Sequence, residues 1–456
     1  MKKLTTGTMW LFAIGQLGWS LLSALITNWL VYVYQPDAAS IAAGQTIFVP
    51  QGLVIFGVAT IIGGITALGR VFDAITDPWI ANLSDNSRNP RGRRIPFMQK
   101  IAVPFAVVTV LVFWSPVNGT SVFNAIWLLV TLLLYYLCIT TYCTPYNALI
   151  PELGKTQDER INISTFISVT FLLGSAIGYA APFIWGALEP SFGRVNAQRI
   201  TFAGMAAVAL VCLLVPTFAI RETDYAAARP AGGNAFESLK KTFANRQFRI
   251  FVGSDVLYWI ALTIFQTGLA FFVTSLMGLP ETMTGVLYVG MTLLSFACYL
   301  PVNVLARKLG KKKLVLFGFG GLSFVYVVTG LSGLFGIGGM AWGIAVVALA
   351  AFPMAILGIL PQAIVADIAQ SESVKTGENR EGMFYAARTF AFKLGQSVAM
   401  LLFTALASLG SGGTGYRIAA FTAAVICTVG ALVLSRYNEK SVFAVLETAP
   451  AAQNQA

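Results

Sequence analysis

The chain has 456 residues, 57% of them hydrophobic and only 11% charged. Soluble domains carry about 25% charged residues, so a string of soluble domains is excluded. There is no histidine, which removes His-based catalysis and His-ligated metal sites, and the formal net charge of +11 has to be judged by where the charges fall.

Apolar runs of about 20 residues, each long enough to cross a bilayer, recur along the whole length. They predict about twelve spans, near 8–33, 53–80, 97–115, 122–148, 162–187, 200–220, 250–277, 280–305, 314–334, 340–368, 383–409 and 416–436. The alternating segments of about ten residues that mark a membrane β-barrel do not occur. Lys2 and Lys3 precede an apolar segment too long for a signal-peptide core, so that segment reads as the first span. It carries a polar stripe of Gln16, Trp19, Ser20, Ser23 and Thr27 at helical spacing. The stripe reads equally as the wall of an aqueous path, with Trp19 as a platform for a sugar ring, and as polar glue between helices.

Span 2 holds the densest buried charge, Arg70-Val71-Phe72-Asp73-Ala74-Ile75-Thr76-Asp77-Pro78. Asp73 and Asp77 are four apart and share a helix face. Thr76 adds a hydroxyl near that side, and Pro78 lacks the N–H that would pair with the Ala74 carbonyl. Such oxygen-rich surroundings suit a small hard cation or a shared proton. The structural alternative is an Arg70–Asp73 ion pair, but two carboxylates against one arginine leave a negative excess, and intramembrane charges are rarely structural. Span 4 contributes Thr140, Thr141, Cys143 and Thr144 before Pro145-Tyr146-Asn147.

The hydrophilic stretch 221–249 divides the chain into 1–220 and 250–436, with a tail at 437–456. Within it Phe236, Leu239 and Phe243 share a face against Lys240, Lys241 and Arg246, predicting a short amphipathic helix on the membrane surface. A weak echo links the halves: Arg91-Gly92-Arg93-Arg94 follows span 2, and Leu309-Gly310-Lys311-Lys312-Lys313 follows span 8. Two six-helix bundles with matching basic loops predict the major facilitator fold, an all-α membrane architecture of twelve transmembrane helices with substrate near the midplane. In span 11, Arg388 and Lys393 are cations that bind substrate, pair with the span-2 acids, or snorkel to an interface. Asp255 and Asp367 read as structural partners of basic loops. The five cysteines lie in spans and form no disulfide framework or metal-spaced cluster.

With the N-terminus inside, 24 of the 30 Lys and Arg fall in inner segments, 3 in outer segments and 3 within spans. This positive-inside bias places both termini in the cytoplasm. The charge is topological, and no nucleic-acid partner is expected.

Three segments together carry a family resemblance. The first is Arg70 to Pro78, followed by Ser84-Asp85 and Arg91-Gly92-Arg93-Arg94-Ile95-Pro96-Phe97. The second is Pro145-Tyr146-Asn147-Ala148-Leu149-Ile150-Pro151-Glu152-Leu153. The third is Glu378-Asn379-Arg380-Glu381-Gly382-Met383 leading to Lys393-Leu394-Gly395-Gln396. On these the chain resembles, over nearly its whole length, the glycoside–pentoside–hexuronide:cation symporter family, whose type member is melibiose permease. The resemblance implies a cation site of Asp73, Thr76, Asp77 and Thr140, and places the family's span-11 lysine on Lys393. Acidic sugar-binding positions of melibiose permease in spans 1 and 4 fall on Ser20 and Cys143 here, and a span-5 arginine falls on Ile167. The coupling site is therefore kept, while the galactoside site is not.

The expectation is a non-enzymatic symporter of the bacterial inner (plasma) membrane. It couples Na+ or H+ entry to uptake of a sugar or glycoside by alternating access, with no cofactor and with membrane lipids as its surroundings. Asp73 and Asp77 hold the ion if it is Na+, and Arg70 and Lys393 serve coupling. Candidate substrate contacts are Gln16, Trp19, Ser20, Thr144, Tyr146, Trp259, Gln266, Arg388 and Lys393. The alternatives are an anionic sugar (a uronide or sulfosugar), a lysolipid, or a non-transporting sensor on a transporter fold.

Overall fold

The computed structural model describes residues 4–87, 89–154, 156–225, 235–377 and 381–447, and these are almost wholly helical. In chain order the helices are α1 (Thr6–Tyr34), α2 (Ala38–Ala42), α3 (Ile61–Asp85), α4 (Ile95–Val112), α5 (Val122–Leu153), α6 (Gln157–Tyr179), α7 (Ala181–Phe192), α8 (Arg194–Ala219), α9 (Ala235–Ala244), α10 (Arg246–Phe271), α11 (Thr282–Ala297), α12 (Tyr299–Leu309), α13 (Lys311–Gly330), α14 (Gly339–Thr376), α15 (Glu381–Ala407), α16 (Thr414–Ser435) and α17 (Glu439–Glu447). Polar residues at the apolar boundaries start several of them. Thr5, Thr60 and Asn245 accept from backbone N–H groups in the first turns of α1, α3 and α10, satisfying donors that a helix start leaves free. Thr156 and Glu159 form a reciprocal capping box at α6.

Ten described helical segments are long and apolar enough to cross a membrane, and α11 with α12, bent by 47°, supplies an eleventh. Helix α3 stands outside that set because Arg70, Asp73, Asp77 and Asp85 lower its hydropathy. Its 25 residues nevertheless measure about 37 Å at the helical rise. The expected start of span 2 at residue 53 is corrected. Residues 53–60 form a turn closed by an Ile55–Ala59 bridge, with Gly52, Phe56 and Gly57 at positive φ, and the helix begins only at Ile61.

Contacts run mainly among the helices of residues 6–219 and among those of residues 246–435. Between the two sets, α3 packs on α15, α1 on α10, and α11 on α6 and α7. The interdomain stretch contains α9, and Phe243 meets Phe248 edge-on, with ring centroids 5.7 Å apart. The Phe236 side chain, residues 226–234 and the segment 378–380 of the third sequence motif lie outside the described residues.

The sequence echo is also a structural one. Glu222, just after α8, accepts from the backbone N–H groups of Arg93 (2.8 Å), Arg94 (2.8 Å) and Ile95 (3.0 Å) at the start of α4. Glu439, just after α16, accepts from Lys311 (2.9 Å) and Lys312 (3.3 Å) at the start of α13. Gly92 (φ 121°) and Gly310 (φ 87°) turn the chain into these caps, and a Cβ on Gly92 would collide with the Glu222 carboxylate. Around the caps Arg93 and Arg94 each lie 3.0 Å from Glu152, at the end of α5. The second set repeats this with Lys311 2.6 Å from Asp367 on α14.

At the opposite end the two sets are clasped. The Glu281 carboxylate accepts from Tyr32 Oη (2.8 Å), Trp185 Nε1 (2.5 Å) and Arg194 Nη2 (2.6 Å). Asp37 accepts from the Thr274 (3.1 Å) and Ser275 (2.5 Å) hydroxyls. The rings of Tyr179 and Tyr288 stack 3.6 Å apart. At the Glu222 end, the pairs just described stay within one set or the other.

Candidate functional site

Asp73 and Asp77 share the face of α3 that meets α5 and α15, as their four-residue spacing requires. Thr140 on α5 donates from Oγ1 to Asp73 Oδ1 at 2.8 Å. Lys393 on α15 places Nζ 2.9 Å from Asp73 Oδ2 and 2.5 Å from Asp77 Oδ2. One ammonium thus bridges both acids across the two helix sets. Ser397, one helical turn along, donates to the Ala67 carbonyl at 3.0 Å and ties α15 to α3 at the same level. Asp73 is almost fully buried, where an unpaired carboxylate is costly, and the ammonium and the threonine hydroxyl are its partners there.

This cluster opens on a cavity of about 550 Å³ between the two helix sets. Six of the expected substrate contacts line it: Trp19, Ser20, Thr144, Trp259, Gln266 and Lys393. Gln16, Tyr146 and Arg388 lie outside the lining. Gln16 is buried, one turn before the lining residues Trp19 and Ser20 on α1. Tyr146 donates to the Phe12 carbonyl (2.9 Å), and its ring stacks on Phe12 at 4.2 Å, so it packs α5 against α1. Arg388 makes a buried two-pronged pair with Asp255 on α10, at 2.7 and 2.9 Å. That contact also corrects Asp255, whose partner is an intramembrane arginine and not a basic loop. Thr76 donates back to the Phe72 (3.0 Å) and Asp73 (3.1 Å) carbonyls of its own helix and takes no part in the lining, a usual habit of threonine within helices.

Arg70 lines the cavity over the Tyr136 ring at 5.4 Å. Its Nε is buried without a partner, and among the described residues no carboxylate lies within ion-pair distance of it. The indole N–H groups of Trp19 and Trp259, one from each helix set, and the Asn28 amide nitrogen are buried in the same wall without partners. Sequence reading missed Asn28, although it continues the polar stripe of α1. Glu281 was also missed, because a lone acid in a loop gives no signal. Among the described residues no group of three or more His, Cys, Asp or Glu is placed to hold a metal. The donors on hand, two carboxylates and one hydroxyl, suit a monovalent hard cation or a proton.

Residues 11–438 match the model of the MFS/sugar transport protein family. The chain belongs to that family. YagG of Escherichia coli, provisionally named a glycoside/cation symporter, is 25% identical over 349 residues, covering 75% of this chain and 74% of its own. The sodium-dependent lysophosphatidylcholine symporter 1 of Xenopus tropicalis is 24% identical over 370 residues, covering 73% and 69%. Among solved structures, a D-xylose-proton symporter superposes with a TM-score of 0.66 at 14% identity, covering 95% of this chain and 97% of that one. The MFS/sugar transport assignment makes this chain a polytopic, non-enzymatic secondary transporter of the major facilitator type, built to work by alternating access between the two sides of a bilayer.

Proposed function

We propose that the protein is a symporter of the glycoside–pentoside–hexuronide:cation type, coupling Na+ or H+ entry to uptake of a sugar or glycoside. One observation carries this reading: Lys393 bridges Asp73 and Asp77 at the wall of a cavity lined by both helix sets. A cation entering between the two acids takes over the role of the ammonium. Lys393 is released, the tie between α3 and α15 loosens, and the bridge reforms when the ion leaves. Substrate binds beside it, with Trp19 and Trp259 offering ring faces and unpaired N–H donors to hydroxyl-rich rings. If the ion tightens substrate binding by some factor, substrate tightens ion binding equally.

The overall arrangement follows from this reading. Helix α3 is the twelfth span, and residues 1–220 and 250–436 are two six-helix bundles joined by 221–249. Both termini are cytoplasmic, as the basic loops demand. The Glu281 clasp then closes the outer side, and the cavity belongs to an inward-facing state in a bacterial inner membrane.

An anionic sugar is the second reading. It is favoured by Arg70, a cavity cation with no carboxylate at ion-pair distance among the described residues. Thermal stabilisation by neutral glycosides, uronides, sulfonates and lysolipids, each with and without sodium, tests these readings. Sodium-enhanced stabilisation by a neutral glycoside is expected; stabilisation by lysolipids alone rejects the sugar reading. Counterflow in proteoliposomes separates a carrier from a sensor, which binds without exchange.

A further inference from the structure

A second cavity, of about 740 Å³, lies away from the substrate path, walled by α12, α13, α14 and α17. Its charges are unequal. Lys311 lines it, but its ammonium is paired with Asp367 at 2.6 Å. Glu439 lines it too, but its carboxylate is committed to capping the backbone of Lys311 and Lys312. Arg307 and Lys440 line it as well, exposed and with no ion-pair partner among the described residues. At the matching cap of the first helix set, Arg93 and Arg94 are answered by Glu152 and Asp85, as Lys311 is by Asp367. Arg307 and Lys440 are thus the uncompensated cations of this cavity.

Apart from Asn303 the rest of the wall is apolar, with Ile359 and Leu360 of α14 and Phe443 of α17 its large side chains. Beside it α12 exposes Leu300, Val304 and Leu309, a face suited to lipid chains. Cations at the rim, an apolar wall, and an opening beside a hydrocarbon-facing helix match one ligand chemistry: a phosphate diester carrying acyl chains. Basic pockets at the cytoplasmic ends of transmembrane helices are suited to such headgroups. We propose that this cavity is a binding site for an anionic glycerophospholipid, with the phosphate held by Arg307 and Lys440 and the start of a chain laid against Ile359, Leu360 and Phe443. Lipid seated there would also fasten α17, the last described helix, to α14.

The test uses the purified full-length protein in neutral detergent, titrated with phosphatidylglycerol, phosphatidylcholine or inorganic phosphate, with thermal unfolding and native mass spectrometry as readouts. Phosphatidylglycerol should bind saturably and raise the unfolding temperature, and phosphatidylcholine and inorganic phosphate should not. The Arg307→Gln/Lys440→Gln variant should lose at least tenfold in phosphatidylglycerol affinity. The Arg246→Gln/Arg249→Gln variant, which removes the same charge from exposed positions on α10, should keep it. Equal loss in both variants means diffuse attraction and overturns the site. Equal response to phosphatidylcholine overturns it too, and binding of inorganic phosphate at the same residues reassigns it to a soluble anion. Should the first variant fold poorly, Ile359→Trp fills the apolar wall while keeping the charges. Undiminished phosphatidylglycerol binding by Ile359→Trp would then reject the proposal.

Discussion

Lys393 and Asp77 stand 316 residues apart in sequence and 2.5 Å apart in space. Their contact joins α15 to α3 at the wall of the central cavity, and with Asp73 it makes one ammonium the shared partner of two membrane-buried acids.

Replacing either acid should break coupling before it breaks folding. Asp73→Asn and Asp77→Asn should each abolish ion-driven accumulation, with ion affinity lowered about ten- to a hundredfold, the equivalent of one charge-assisted hydrogen bond. Substrate exchange without a gradient should persist. Uptake in proteoliposomes, with and without an imposed sodium or proton gradient, reads both effects. Full concentrative uptake by both variants would remove the acids from the ion site.

The bridge itself is tested by a double-mutant cycle. Lys393→Ala should impair ion-coupled uptake more than substrate binding, and its effect should depend on Asp73. Residues in direct contact couple by about 0.5–3 kcal/mol, so the Asp73→Asn/Lys393→Ala pair should fall short of the sum of the single effects. Additive losses would show that the two groups act separately.

The Arg388–Asp255 pair predicts a stability result. Arg388→Met alone leaves the Asp255 carboxylate buried without a counterion, a change that costs about 3–5 kcal/mol. Arg388→Met/Asp255→Leu should recover most of the loss, because it removes both charges together. Thermal unfolding of the three variants checks this. Substrate affinity should survive in the double variant, since neither residue lines the cavity; its collapse would return Arg388 to the substrate site.

The clasp at Glu281 predicts a change in conformational balance. Glu281→Gln weakens bonds to Tyr32, Trp185 and Arg194 together and should populate a state open at that end. Labelling of Thr284→Cys, a buried position beside the clasp, on a cysteine-free background should quicken about tenfold or more for each 1.4 kcal/mol removed. Acid should act only late. Burial alone would push the Asp37 carboxyl up, but the Ser275 hydroxyl, the Ser40 amide and the Thr274 hydroxyl hold it below its ordinary value of 3.8. With the folded value depressed, this contribution is complete above the unfolded value and is lost as pH falls through the folded one. With Glu281 intact, the labelling rate of Thr284→Cys, normalised to the thiolate fraction of a freely exposed cysteine, should therefore be flat from about pH 8 to about pH 5. A rise near neutral pH would mean that another group controls the clasp.

Much of the Asp73–Asp77–Lys393 cluster was legible because helical spacing alone puts Asp73 and Asp77 on one face, and because a buried lysine needs a carboxylate. The partner of Arg388 was not. Asp255 lies 133 residues earlier, and only the packing of α10 on α15 brings them together. Residues 53–60 were misread as span because their apolar side chains hide a glycine-built turn. Helix α3 shows the reverse: among the charges that lower its hydropathy are the two that meet Lys393. Thr76 and Tyr146 looked like site residues by type, yet their hydroxyls serve backbone carbonyls, a choice that sequence does not record.

The Lys393 bridge also bears on how the carrier senses voltage. Asp73, Asp77, Arg70 and Lys393 together carry no net charge, so under the proposed mechanism the empty site crosses between its two orientations without moving charge through the field. Once an ion joins them, the same step carries one positive charge, and the membrane potential contributes about 2.3 kcal/mol per 100 mV to moving it inward. An interior-negative potential would then accelerate only the loaded half of the cycle and leave the return indifferent to it.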